Sequence, residues 1–337
     1  MTDAAGPTRG YSKALGVVTG DVNDDGYPEI YLACDMTPNL LYINQRNSTF
    51  KEEAVSRNCA LSDTGQALSG MGVDMGDVDG DLRPDLWVTN YWGENNNLYR
   101  NLGGGLFSDV AVASGLGGPN RRQVSFGTGL RDLNNDGWLD VFITNGHALR
   151  HPEEATPGAG RAQTDQLFLN RGNGQFQDVS AQAGPWFATP HVGRGAAFGD
   201  IDNDGDLGIL LVPNEGPAAL LINQNGRLGH WLEFRLQGRR SNRDGIGARI
   251  DVTANHRTLR SEVRSAYSYC SANDLRAHFG LAGATRASKV EVHWPSGHVD
   301  MFADVTANHI YVIAEGHGIR ASSSATRLAP FFEGDPE

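Results

Sequence analysis

The sequence predicts an all-β chain, a β-propeller followed by a small β-sandwich-like domain. Three observations predict it. An acidic loop recurs four times, each copy is flanked by short strand-like segments, and no stretch of the chain shows helical periodicity.

The loop first appears in "GDVNDDGYPEIYLA", residues 20 to 33. It returns in "GDVDGDLRPDLWVTN" from Gly76, "RDLNNDGWLDVFITN" from Arg131 and "GDIDNDGDLGILLVP" from Gly199. The first acids are Asp21, Asp77, Asp132 and Asp200, at steps of 56, 55 and 68 residues. Repeats of this size mark stacked supersecondary units. A glycine-rich strand precedes each loop: "ALGVVTGD", "GMGVDMGD", "SFGTGLRD" and "GRGAAFGD". An apolar strand follows it, then a third, "LLYIN", "NLYRN", "LFLN" and "LLIN". "TFKEEA", "LFSDVA" and "QFQDVS" close the first three units, so each reads as a four-stranded propeller blade.

Alternating side-chain oxygens on a short loop wrap a hard cation, and calcium takes six to eight oxygen ligands. Positions one, three and five hold Asp21, Asn23 and Asp25; Asp77, Asp79 and Asp81; Asp132, Asn134 and Asp136; and Asp200, Asp202 and Asp204. Glycine at position six lets the chain turn sharply. Position seven, which is Tyr27, Arg83, Trp138 or Asp206, offers its backbone carbonyl. Glu29, Asp85 and Asp140 complete the first three loops at position nine, whereas the fourth has Gly208 and is expected to bind most weakly. The cofactor expected is Ca2+, three to four ions. An EF-hand is excluded because position twelve is Leu32, Val88, Ile143 and Leu211, inside strands, where that motif needs a glutamate between helices. Solvated polar turns without metal are the bland alternative, and four loops in register weigh against it.

Composition narrows the classes further. The chain has 337 residues, 43 glycines and a net charge of -12, which four divalent cations would reduce to about -4. No basic patch interleaved with aromatics suggests nucleic acid, and no apolar run is long enough for a membrane span. No secretory signal is visible in "MTDAAGPTRGYSKALG". Cys34, Cys59 and Cys270 form no CxxC pair and read as buried fillers, with a Cys34–Cys59 disulfide left open.

These repeats resemble the FG-GAP/VCBS repeats that build seven-bladed propellers in integrin α-chains and bacterial surface proteins. "HWLEFRLQGRRSNRDGIGARIDV" from His230, "AHFGLAG" from Ala277 and "VEVHWPSGHV" from Val290 resemble the ASPIC/UnbV domain, which follows such propellers in the cartilage-acidic-protein family and in the UnbV proteins of enediyne gene clusters. The resemblance implies more blades than the four recognisable here. A four-bladed closure and an incomplete seven-bladed ring both fit that count, the latter leaving an open strand edge near Ala14 for self-association. The expected organisation is a propeller over 1–226, an ASPIC/UnbV-like β domain over 227–315 and a disordered tail over 316–337.

No catalytic constellation is recognisable: GxSxG, P-loop and HExxH motifs are absent. His278 and Trp294 read more readily as packed residues than as a polar site, and "SNRDGIGAR", with Asn242, Arg243 and Asp244, as a structural turn. The connection 146–164 reads as a disordered insertion. The expectation is a calcium-stabilised, non-catalytic scaffold that recognises protein or glycan through its loops, outside the cell or in the periplasm. The alternative is an enzyme or accessory protein of enediyne-type biosynthesis, with a deep pocket gathering His147, His191 or His278.

Overall fold

The structure, a computed structural model, describes residues 12–224 and 229–322. Successive side chains of a strand point to opposite faces, and the blade strands bury both, leaving turn residues at the ends of each sheet. Blade one is the antiparallel sheet β1 (Ala14–Gly20), β2 (Glu29–Cys34), β3 (Leu40–Asn44) and β4 (Phe50–Glu52). Blade two is β5 (Val73–Gly76), β6 (Asp85–Val88), β7 (Asn97–Asn101) and β8 (Phe107–Asp109). Blade three repeats the order with β9 (Ser125–Arg131), β10 (Asp140–Asn145), β11 (Gln166–Asn170) and β12 (Phe176–Asp178). Blade four has three strands, β13 (Gly195–Gly199), β14 (Gly208–Val212) and β15 (Ala219–Leu221).

The first strands of consecutive blades lie side by side, β1 on β5, β5 on β9 and β9 on β13, and no comparable contact joins β13 to β1 among the described residues. The four blades thus form an open arc. β1, which begins at Ala14, is an edge strand of its sheet, on the inner side as β5, β9 and β13 are of theirs, and Leu15 and Val17 on it are exposed. A side-chain link recurs between blades. The asparagine at the end of the third strand, or just past it in blade four, donates to the carbonyl at position two of the preceding blade's loop. The three links are Asn101 Nδ2 to Val22 O at 2.8 Å, Asn170 Nδ2 to Val78 O at 2.8 Å and Asn223 Nδ2 to Leu133 O at 2.7 Å.

"HWLEFRL" does not complete blade four. It forms β16 (His230–Gln237) in a second module of two four-stranded sheets. One sheet runs β19 (Ala277–Ala282), β16, β22 (His309–Ala314), β23 (Gly318–Ala321), with β16 and β22 parallel. The other runs β18 (Arg257–Glu262), β17 (Arg249–Ala254), β20 (Arg286–His293), β21 (Val299–Thr306). Leu232, Phe234 and Phe279 from the first sheet and Ile250, Val252 and Val290 from the second share one core, which makes a sandwich.

The expected boundary at 226/227 lies outside the described residues, as do residues 323–337 of the expected tail. Residues 316–322 of that expected tail are ordered, because Gly318–Ala321 pair with β22 and gain a ladder of backbone hydrogen bonds. The connection 146–164 is ordered, contrary to expectation. It contains the short helix α1 (Pro152–Ala155) and is pinned by bridges Gly146 to Ala162 and Gln163 to His191, with His147 fully buried. All three cysteines are free; Cys34 and Cys59 are buried, but Cys270 is exposed and is no filler.

Between β18 and β19, residues 264–274 leave the sandwich and run along the inner edges of the arc. Val73 and Ser268 exchange backbone hydrogen bonds, Ser268 Oγ accepts from Thr128 N at 2.9 Å, and Asn273 Oδ1 accepts from Phe198 N at 2.9 Å. Tyr267 enters the arc's own core, with the Arg131 guanidinium 3.9 Å above its ring.

Candidate metal centres

Each acidic loop joins the first strand of its blade to the second, and all four share one backbone trace. Position four is left-handed in every loop, with Asp24 at φ 58°, Gly80 at 80°, Asn135 at 60° and Asn203 at 59°. Position six is left-handed as well, with Gly26 at 85°, Leu82 at 68°, Gly137 at 86° and Gly205 at 90°. Leu82 therefore departs from the glycine expected at six while keeping the turn, at the cost that a side chain carries in this region. The left-handed fourth position is a feature that sequence reasoning missed, although Asp, Gly and Asn recur there and tolerate that region best.

The first acid of each loop folds the turn around itself. Asp21 accepts from the amides of Asp25 at 3.0 Å and Gly26 at 2.7 Å, Asp132 from Asp136 at 3.1 Å and Gly137 at 2.7 Å, and Asp200 from Asp204 at 3.1 Å and Gly205 at 2.9 Å. Asp77 takes Gly80, Asp81 and Leu82 in the same way. The fifth acid accepts from the amide at seven: Asp25 from Tyr27, Asp81 from Arg83, Asp136 from Trp138 and Asp204 from Asp206. At position three, Asn23 and Asn134 each accept from the amide at five. The ninth residue, Glu29, Asp85 or Asp140, ties the loop to the third strand. Asp85 accepts from Val78 N at 3.0 Å and Asn101 N at 2.8 Å, and Asp140 from Leu133 N at 3.0 Å and Asn170 N at 2.9 Å.

Whether a cation fits is answered by the donor set. Carboxylate oxygens of Asp77, Asp79 and Asp85 lie within 4.8 Å of one another, as do those of Asp200, Asp202 and Asp204. Both oxygens of Asp79 are buried and take no hydrogen bond; the Arg100 guanidinium is their ion-pair partner. Burial, reinforced by neighbouring carboxylates, raises Glu29 to about 7, Asp132 to about 7 and Asp200 to about 6, and holds Asp85 and Asp140 well above the usual range. A hard cation would remove that penalty, and the residues present fit one. Loop four, lacking an acid at nine, turns the Asp206 carboxylate to Asn135 Nδ2 of loop three at 3.1 Å.

The second module covers the loops. Arg249 Nη1 meets Asp24 Oδ1 at 3.1 Å, Arg260 Nη1 donates to Leu82 O at 2.9 Å, and Ala282 N donates to Asn135 O at 2.9 Å. The Arg257 guanidinium lies 3.2 Å above the Trp138 ring. Arg276 donates to Asn203 Oδ1 at 2.7 Å and also to Asp200 O. A cavity of about 100 Å³ between arc and module is lined by Arg131, Glu233, Arg264, Tyr267 and His278 among others.

The candidate catalytic histidines are not gathered. His278 sits under loop four, where its Nε2–H donates to Gly205 O at 3.0 Å, and burial lowers it to about 4. His147 and His191 lie at the other end of the strands, in the second-to-third-strand connection of blade three and before blade four. His147 contacts Tyr91 and Trp92, and His191 stacks on Trp186 at 3.6 Å. His147 and His151 stand four residues apart, but α1 begins only at Pro152, so the two share no helix face. Asn242 closes its own turn with Ile246, and Arg243 pairs with Asp244 in solvent.

Four blades with acidic first hairpins define a class, the FG-GAP-like repeat proteins. Residues 21–88, 77–143 and 132–211 match that repeat, more than half the chain, and the chain belongs to this family. Residues 238–320 match ASPIC and UnbV. The chain is similar to cartilage acidic protein 1 of Mus musculus, 27% identical over 85% of this chain and 42% of the relative. It is also similar to that of Homo sapiens, 26% identical over 85% of this chain and 42% of the relative. The chain thus spans about two fifths of the length of these curated relatives. A solved structure of an Agrocybe aegerita lectin that recognises non-reducing terminal N-acetylglucosamine aligns with TM-score 0.33 and 19% identity, over 62% of this chain and 52% of that one. The Vibrio cholerae biofilm matrix protein Bap1 aligns with TM-score 0.33 and 11% identity, over 86% of this chain and 48% of that one. Neither alignment is close enough to add to the argument. Among the described residues no helix is long and apolar enough to cross a membrane.

Proposed function

We propose that the chain is a calcium-stabilised scaffold, non-catalytic, that recognises protein or glycan outside the cell or in the periplasm. The observation that carries the metal reading is the common trace of the four loops, together with carboxylate oxygens within 4.8 Å of one another in loops two and four. The ligands proposed are Asp21, Asn23, Asp25 and Glu29; Asp77, Asp79, Asp81 and Asp85; Asp132, Asn134, Asp136 and Asp140; and Asp200, Asp202 and Asp204, with the carbonyls of Tyr27, Arg83, Trp138 and Asp206. Extracellular calcium modules bind at about 10⁻⁴–10⁻³ M, a concentration available outside the cytosol.

Recognition is assigned to the loops at the opposite end of the strands. There Tyr91, Trp92, Trp186 and His191 stand partly exposed, with Arg194 held over Phe126 at 4.0 Å. Aromatic faces beside a fixed cation suit a sugar ring or a peptide side chain. A thermal melt in calcium and in excess chelator, with metal content measured on the same sample, tests the metal half. A metal-free sample as stable as the calcium-loaded one would sink it. Glycan and protein arrays probed with the full chain and with Trp92→Ala test the other half, which fails if binding is absent or unchanged.

A further inference from the structure

From the strap at residues 264–274 we infer that the second module completes the recognition face, and that the completed site takes an acidic sugar of a glycan chain, its carboxylate or sulfate held by Arg194. This deepens the recognition reading of that face and rests on it. The residues come from blades two to four and the second module alone.

The strap is a hairpin, bridged at Ala266 and Ala272, that crosses the arc from the acidic loops to the opposite end of the strands. At its base Arg264 donates to Met75 O at 2.7 Å and Asp274 N to Phe198 O at 3.1 Å, both acceptors lying just before a loop. At its tip Ser268 exchanges backbone hydrogen bonds with Val73, and the Tyr269 ring packs edge-on against Phe126 with centroids 5.0 Å apart. Ser268 and Cys270 are left-handed, at φ 78° and 47°, which turns the tip back on itself. A Cβ on Gly195 would stand 3.2 Å from Ser271 Oγ, so this glycine gives the tip its seat. Tyr269 thereby joins Tyr91 and Trp92 of blade two around Met71, Val124 and Phe126, and all three aromatic side chains stay partly exposed.

Arg194 belongs to the same cluster, 4.0 Å above Phe126. Its Nη1 donates to Gly146 O at 3.0 Å and Gly193 O at 2.6 Å, and its Nη2 to His147 O at 3.1 Å. These acceptors are neutral carbonyls, and among the described residues Arg194 pairs with no carboxylate. A guanidinium stays charged in proteins, so here its charge lacks a counterion, in a chain of net charge -12. Arg161 nearby adds a like charge. Nε–H and one Nη2–H remain for a ligand, and a carboxylate or sulfate accepts such a pair of bonds. Rings beside a fixed cation offer faces to a pyranose. An acidic peptide is served less well, because Ser268 already occupies the inner edge at Val73 where its main chain would pair.

Calorimetric titration of the full chain with a galacturonic acid oligosaccharide, a sulfated oligosaccharide and a neutral one of equal length tests the inference. An acidic probe should bind about tenfold or more tighter than the neutral one, and the better of the two acidic probes separates carboxylate from sulfate. Arg194→Gln and Tyr269→Ala should each weaken that binding by about tenfold with unchanged circular dichroism. The comparison of acidic with neutral probes needs no substitution and stands even if a variant misfolds. Equal binding of the neutral probe, equal binding of polyglutamate, or acidic binding unmoved by both substitutions overturns the proposal. A glycan or protein found on the arrays that depends on Trp92 but ignores Arg194→Gln and Tyr269→Ala overturns it alone; no binding on any array removes the recognition reading as well.

Discussion

A Cβ placed on Gly280 would stand 1.9 Å from the Asp132 carboxylate, so the backbone of β19 in the second module presses directly on the first acid of loop three. The residues that would hold a cation and the residues that hold the two modules together are here the same surface. Gly280→Ala must displace Asp132 or lift β19, and overpacking of this kind costs about 1–3 kcal/mol. The expected outcome is a lower melting temperature with a reduced calcium-dependent gain, measured by calorimetry with and without chelator. An unchanged melt would show that the module is held elsewhere.

Loop two should depend most on its ninth residue. Asp85 is buried and joins Val78 to Asn101. Asp85→Ala removes a proposed ligand and strands two buried amides, each worth about 1–3 kcal/mol. Asp206→Ala leaves the proposed carbonyl ligand in place and should retain the bound ions. Metal content by mass spectrometry separates them: one ion fewer in the first variant, none lost in the second.

Glu315 makes a prediction about acid. Its Oε2 accepts from the amides of Arg239, Arg240 and Ser241 at 2.7, 2.7 and 2.9 Å, and the Ser296 hydroxyl also donates to this carboxylate. These donors hold it down to about 2 against burial, from an ordinary 4.5. A carboxylate depressed in the folded state stabilises above its unfolded value and loses that contribution as pH falls through the folded one. Urea melts of the wild type should therefore weaken between about pH 4.5 and pH 2, with that component missing in Glu315→Gln.

The inter-blade asparagines should matter for cohesion of the arc. Asn170 is buried and donates to Val78 O of blade two and Leu139 O of its own. Asn170→Ala forfeits both bonds, about 1–3 kcal/mol in all. Hydrogen exchange should quicken at the blade-two and blade-three loops together. Faster exchange confined to blade three would show that the link carries no cohesion.

The acidic loops, the four-strand units and the all-β sandwich were legible because their periods are local. Asp21 through Glu29 carry the loop chemistry in nine consecutive positions, and strand alternation needs only near neighbours. β19 and β21 were harder to see, since "AHFGLA" and "VDMFADVT" lack a clean alternation of apolar and polar residues. The fourth position of the loops was visible as Asp, Gly and Asn, but its left-handed backbone shows only in three dimensions.

The repeat, its acidic loops and the two-module order are written in residues a few places apart, so the amino-acid order alone settles them. Two features wait for the folded chain: residues 264–274 line the arc's inner edges, and Arg249, Arg260 and Arg276 sit on the loops. Distance along the chain separates the two groups. Arg249 meets Asp24 across 225 residues and Ser268 meets Thr128 across 140. Such pairings are selected by the burial and hydrogen bonding of whole surfaces, which no local period records.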